Sequence, residues 1–422
     1  MSATVTGVDA WEVLDSRGDP TVRVAVDVEG GRGVFTVPAG ASTGAHEVVE
    51  RRDGGERYGG KGVTAAVEAV RETLAPVVVG MDATDQRAID AALVERDGTG
   101  DLTNLGGNAV LGVSGGVAHA VADARDEPLY RTLADGDPGA IPRPMVNVLS
   151  GGLHARGGIE IQDFLVVPTG AETYPEALET AWSVRDAVRE RIEADGERPL
   201  VADEGGYAPP LADVDDAFEL LASCVRDAGH EPSRDDVAFA VDVAATHFYD
   251  ERDGSYALSA LDRPLDREGM IDLVAGWTER YPVVSVEDPL ADDDWEGWAR
   301  LADRLSGVQL LGDDLLATDA ARIRRAAASG AANAALVKLN QAGTVTRTLD
   351  AVEAARDAGF ATVVSARSGE TCDATIADLA VAVDGGQIKI GSLARSERLA
   401  KYNRLLEIDR ALDAPLSADP AP

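Results

Sequence analysis

The chain is 422 residues long, 45% hydrophobic and 27% charged, enough for a large core in two domains and inconsistent with a disordered protein. Acidic residues number 74 against 39 basic ones, and the net charge of −35 excludes nucleic acid and anionic membrane as partners, since both carry the same sign. Two cysteines, Cys224 and Cys372, exclude a disulfide framework and fit a reducing compartment. No apolar run is long enough for a membrane span, and residues 1–13 (MSATVTGVDAWEV) lack the basic-then-apolar order of a secretory signal.

Residues 21–28 (TVRVAVDV) alternate apolar and polar, and residues 33–37 (GVFTV) follow across Glu29, Gly30, Gly31 and Arg32, which predicts a hairpin. GASTG at 40–44 is small and flexible and predicts a mobile loop. Helical periodicity at 63–74 and 109–123 completes an α+β lid domain over residues 1–140, closed by the IPRP at 141–144. The glycines of LGGNAVLGVSGG (105–116) follow no dinucleotide-binding strand and predict tight helix packing.

From Met145 short apolar runs alternate with helical stretches at 174–193, 214–228, 319–328 and 345–358. Repeated strand–helix units predict a parallel sheet, and so many of them predict an α/β fold of (β/α)8-barrel type over residues 141–413. Residues 414–422 predict a loose tail.

The apolar runs share one feature. PLVADEGG, VAFAVDVAA, PVVSVEDP, VQLLGDD, AALVKLN, ATVVSARSG and GQIKIG end on Glu204, Asp242, Glu287, Asp313, Lys338, Arg367 and Lys389. In a barrel these ends converge on one mouth, where such folds place their chemistry. Asp242, Glu287 and Asp313 form an oxygen-only ligand set suited to Mg²⁺. The chain has only four lysines, Lys61, Lys338, Lys389 and Lys401, yet Lys338 sits inside an apolar strand. A lysine whose pKa is lowered by burial or positive neighbours can act as a base, whereas arginine cannot. Metal, base and acid together point to removal of a proton α to a carboxylate. The acidic surplus with arginine chosen over lysine predicts a salt-rich cytoplasm.

VLDSRGDPTV, VPAGASTGAHE, GKGV, NAVLGVS, DEGGYAP, SVEDP, GDDL, LVKLNQAGTVT, ARSGETCDATIADL, GQIKIGS and RSERLAKYN, in that order, resemble the enolase family over nearly the whole chain. With the acidic composition, the resemblance suggests an enolase of a halophilic archaeon. It implies reversible dehydration of 2-phosphoglycerate to phosphoenolpyruvate in glycolysis and gluconeogenesis. Lys338 then resembles the base at C2 and Glu204 the acid at the C3 hydroxyl. Asp242, Glu287 and Asp313 resemble ligands of one Mg²⁺, and Ser42 a lid ligand of a second that arrives with substrate. Gln162, Arg367, Ser368, Lys389 and His154 resemble groups that hold the substrate. The family also implies a homodimer or higher homo-oligomer in the cytoplasm, with non-classical secretion or surface display allowed.

Three positions depart from the family. Asp163 stands for a glutamate, Ala366 for the histidine of SHRSGE, and Ser150 for the asparagine of NGG. The first two keep two other readings open: a paralogue with weak or different activity on a 2-substituted carboxylate, and a non-catalytic binding protein on the same fold. HEVVE at 46–50 begins like a zinc-protease helix but lacks its second histidine, so zinc is not expected there.

Overall fold

The hairpin at residues 21–37 belongs to a three-stranded antiparallel sheet of β1 (Val5–Leu14), β2 (Pro20–Val28) and β3 (Gly31–Thr36). The structure is a computed structural model and describes residues 3–40, 44–155 and 158–418. Most of the expected mobile loop, residues 41–43, lies outside that range. β1 is an addition to the sequence reading, because exposed and half-buried residues interrupt its alternation.

The helix Gly107–Ala124 lies on β2 and β3, and its glycines serve close approach as expected. A Cβ on Gly33 would stand 2.2 Å from the Gly116 carbonyl oxygen. The helix predicted over 63–74 is Thr64–Glu68, a wider π-helical stretch Ala69–Leu74, and Ala75–Val78. Pro76 has no N–H to donate into the turn below it, which accompanies the widened segment.

The barrel strands are β4 (Arg143–Ser150), β5 (Asp163–Pro168) and β6 (Val237–Asp242). A two-residue hairpin of β7 (Tyr249–Asp250) and β8 (Ser255–Tyr256) stands apart. Then follow β9 (Val283–Glu287), β10 (Gln309–Gly312), β11 (Ala334–Val337), β12 (Ala361–Ser365) and β13 (Gln387–Gly391). They close in the order β10-β11-β12-β13-β4-β5-β6-β9. Six of the intervening helices begin on a capping side chain: Thr173, Asp213, Asp266, Asp294, Asp319 and Thr344 each accept a backbone N–H three residues on.

Two expectations need correction. The barrel is not wholly parallel, because β5 pairs antiparallel with both β4 and β6. PLVADEGG is not a barrel strand either; it lies in the connection between helices Tyr174–Ala194 and Val214–Asp227, held by isolated bridges such as Leu149–Tyr207.

Inside the barrel Met145, Leu165, Ala240, Leu311, Leu336 and Val363 form an apolar layer. The helices cover the outside through a second, larger core. The N-terminal unit docks on the rim after β11 and β12: Ala39 bridges Gly369, Ser16 N–H donates to Glu370 C=O at 2.8 Å, and Val48 N–H donates to Gln341 C=O at 3.1 Å. The expected loose tail is tied back as far as the described residues run, with Ser417 N–H donating to Ile141 C=O at 2.8 Å and Arg143 donating to Ser417 C=O at 3.1 Å. No described helix is long and apolar enough to cross a membrane. Cys224 and Cys372 are both free.

Candidate active site

Side chains alternate across a strand, so the inward residues of each barrel strand share one parity. Ala238 and Ala240 lead to Asp242, Leu311 to Asp313, and Ala334 and Leu336 to Lys338. This is why a lysine can end an apolar strand: it follows the core residues on the inward face and emerges at the mouth.

The mouth gathers the expected residues. Asp242 and Glu287 are cross-strand partners on β6 and β9. Lys389 Nζ lies 2.7 Å from Asp242 Oδ2 and 2.7 Å from Glu287 Oε2. Lys338 Nζ lies 2.5 Å from Asp313 Oδ2. Gln162 donates to Asp242 at 3.1 Å, and Gln341 donates to Asp313 at 2.7 Å. One cavity is bordered by His154, Gln162, Glu204, Asp242, Asp313, Lys338, Arg367, Ser368 and Lys389; Glu287 lies beneath its wall, 2% exposed. Ser42 falls outside the described residues.

The antiparallel entry of β5 places its first residues at the mouth. Gln162 precedes it and Asp163 begins it, opposite Asp242. Asp163 is fully enclosed: Asn147 Nδ2 donates to it at 2.5 Å and Ser150 Oγ at 2.7 Å, and its other oxygen faces His154 Nδ1 at 2.9 Å. Glu204 arrives on the loop, its carboxylate 3.9 Å from both His154 Nε2 and Arg398 Nη1. Gly391, at φ 107°, lets that loop approach, since a Cβ there would meet the Glu204 carbonyl oxygen at 2.9 Å.

Several site residues escaped the sequence reading. Arg367 is gripped by Glu47 in a fork, Nη1–Oε2 2.8 Å and Nη2–Oε1 3.2 Å, and donates to Asn340 at 2.9 Å. Glu47 belongs to the very HEVVE segment set aside as a failed zinc motif. Arg398, wholly buried, donates to the carbonyls of Arg367, Ile390 and Ser368 at 2.6, 3.0 and 2.7 Å. Lys401 binds Glu370 at 2.6 Å, and Glu370 in turn accepts the Arg367 N–H at 3.0 Å. Asn340 and Gln341 stand in the LVKLNQ run itself, directly after Lys338. Ala366 offers only a methyl group at the rim, its N–H donating to Lys389 C=O at 2.9 Å.

The electrostatics are those of a crowded, dry site. Burial, and after it Asp242, pushes the Glu287 carboxyl up to about 8. Burial also disfavours the Asp242 and Asp313 charges, but Lys389 and Lys338 respectively prevail and lower both. Lys338 itself is raised, because Asp313 outweighs the burial that favours a neutral amine. The lowered pKa expected for a base is therefore absent while that ion pair lasts. Carboxylate oxygens are the donor chemistry a hard divalent cation takes, but the structure does not draw the expected three together: Lys389 sits between Asp242 and Glu287, and the carboxylates at this rim whose oxygens lie within 4.8 Å of one another are Asp288, Asp313 and Asp314. His154, Asp163 and Glu204 form a second such group.

A barrel whose mouth combines buried carboxylates, ammonium groups and a guanidinium defines a class: an enzyme-type site for small anions and acid–base chemistry. Residues 139–417 match the enolase C-terminal TIM barrel domain and residues 5–133 the enolase N-terminal domain. An enolase of Acidothermus cellulolyticus is 50% identical over 413 residues, covering 97% of this chain and 95% of its own length. The chain belongs to the enolase family.

Proposed function

We propose that this chain is a hydro-lyase that reversibly removes water from 2-phosphoglycerate to give phosphoenolpyruvate, a step of glycolysis and gluconeogenesis. The observation that carries this reading is the near-full-length 50% identity to an enolase. Lys338 accepts the C2 proton. Glu204, across the cavity, protonates the C3 hydroxyl, which leaves as water. Arg367, Ser368, Gln162, Lys389 and His154 hold the phosphate and carboxylate. The Glu47 carboxylate on Arg367 marks where a planar anion is received. Bound Mg²⁺, one ion on Asp242, Glu287 and Asp313 and a second on Ser42, supplies Lewis-acid stabilisation of the charge that builds on the substrate carboxylate. Asp313 pairs with Lys338 at 2.5 Å, and loosening of that pair would return the amine towards the basicity its role requires.

We also place the division between the lid unit and the barrel at residue 140, the protein in the cytoplasm, and its assembly as a homodimer or larger homo-oligomer. The test is direct. Purified protein in high KCl with Mg²⁺ and C2-deuterated 2-phosphoglycerate is expected to form phosphoenolpyruvate and to release deuterium to solvent. Neither product nor exchange overturns the reading. A weaker or differently specific paralogue is the second reading, motivated by the methyl group of Ala366; a large gain of rate in Ala366→His supports it.

A further inference from the structure

We propose that His154, oriented by Asp163, returns a proton to Glu204, so that Asp163, His154 and Glu204 form one proton-delivery chain for the elimination step. This deepens the reading above and rests on it.

Asp163 is the first support. It does not border the cavity, although its neighbours Gln162, His154 and Glu204 do. One of its oxygens is taken by Asn147 and Ser150, and the other faces His154 Nδ1 at 2.9 Å. A carboxylate enclosed in this way touches no substrate and acts through the imidazole, which makes it a positioning residue. Its bond fixes His154 with Nδ1 on Asp163 and Nε2 towards Glu204, 3.9 Å away. Closing that gap to a hydrogen bond takes an approach of about 1 Å, and such catalytic contacts are often long before substrate arrives.

Glu204 is the second support. Burial opposes its charge, but Arg398, His154, Lys389 and Lys338 together lower its pKa, so it stands ionised. An ionised carboxylate has no proton to give. Arg398 does not release protons, Lys389 is tied to two carboxylates, and Lys338 is the acceptor at C2. His154 remains. Burial disfavours its charge too, yet Asp163, whose own carboxyl burial pushes up, and Glu204 raise it to about 9, which favours the imidazolium at neutral pH.

The step balances. As the C3–O bond breaks, the imidazolium Nε2–H passes its proton to Glu204 Oε1, uphill between those two groups alone but drawn on by the departing hydroxide, leaving a neutral imidazole whose Nδ1–H stays with Asp163. Glu204 hands the proton to the C3 hydroxyl as the C–O bond breaks, water leaves, and the carboxylate is restored. The imidazole regains a proton from solvent between turnovers.

On this view Asp163 paired with Ser150 is a built arrangement, and lengthening Asp163 harms it. The test uses the full chain with Mg²⁺ and C2-deuterated 2-phosphoglycerate, following deuterium release and product separately. In His154→Gln, product formation at saturating substrate is expected to fall about 10²- to 10⁴-fold, and at least about tenfold further than deuterium release. Asp163, Glu204, Asp242 and the second histidine of the cavity, His247, face the imidazole. Asp163→Asn removes the foremost anion, so its loss of rate on raising the pH is expected to move to lower pH. Asp163→Glu is expected to lower the rate. Equal falls in release and product at saturating substrate in His154→Gln, an unmoved alkaline limb in Asp163→Asn, or a gain of rate in Asp163→Glu each overturn the inference while leaving the parent reaction standing. A parent protein with neither product nor exchange removes both.

Discussion

The two ends of the barrel stand on the same strands and are both polar, yet they hold their polarity differently. At the floor, Gln309 and Gln387 exchange amide hydrogen bonds of 2.9 and 3.3 Å, and Gln309 also donates to Ser285 Oγ at 3.0 Å. The groups are neutral and satisfied within their own layer. At the mouth, three carboxylates share two ammonium groups, and Arg367 leans on a glutamate from the other unit. In the proposed function those partners would be exchanged, a lysine for a metal ion and Glu47 for a substrate anion. A neutral layer closed on itself gives rigidity; a charged layer with replaceable partners can receive a ligand.

Four experiments test that contrast. Lys338→Ala removes the proposed base at the mouth, and product formation from 2-phosphoglycerate is expected to fall by about 10⁴-fold; retention of the rate removes the role assigned to Lys338. Lys389→Met strips the shared ammonium from Asp242 and Glu287. In chelator the variant is expected to lose about 3–5 kcal/mol in urea unfolding, with added Mg²⁺ narrowing the loss.

The third concerns pH. His154 is raised in the folded state to about 9, above the ordinary imidazole value of 6.5. Its stabilising contribution is therefore full below pH 6.5 and lost as the pH rises through 9. Subtracting the unfolding free energy of His154→Gln from that of the parent should give a difference of up to about 3 kcal/mol at low pH that fades above neutrality. Last, Gln309→Leu leaves the Gln387 amide unpaired at the floor. A loss of about 1–3 kcal/mol is expected with turnover unchanged; a fall in turnover would show that the ends are coupled.

Much of the mouth is legible in the sequence, because parity carries it. Asp242, Glu287, Asp313, Lys338 and Lys389 continue the inward face of parallel strands, so lining up strand ends finds them. Asp163 escapes that rule, since β5 enters the barrel in the opposite sense and shows the mouth its beginning. Glu204 is identified as a site residue but assigned to a strand that is in fact a loop; the apolar run that suggests a strand packs only through isolated bridges. Glu47 and Arg398 leave no local signal. The partner of Glu47 lies 320 residues away, and Arg398 serves backbone carbonyls that no side-chain pattern announces.

Three of the four lysines are enclosed: the side chains of Lys338, Lys389 and Lys401 are 11%, 7% and 1% exposed, against 57% for Lys61. An acylating reagent applied to the folded chain therefore meets one lysine on the surface and three concealed beneath it. Stoichiometry of modification by mass becomes a readout of integrity, with Lys61 a natural attachment point for a dye or a resin that spares the catalytic apparatus.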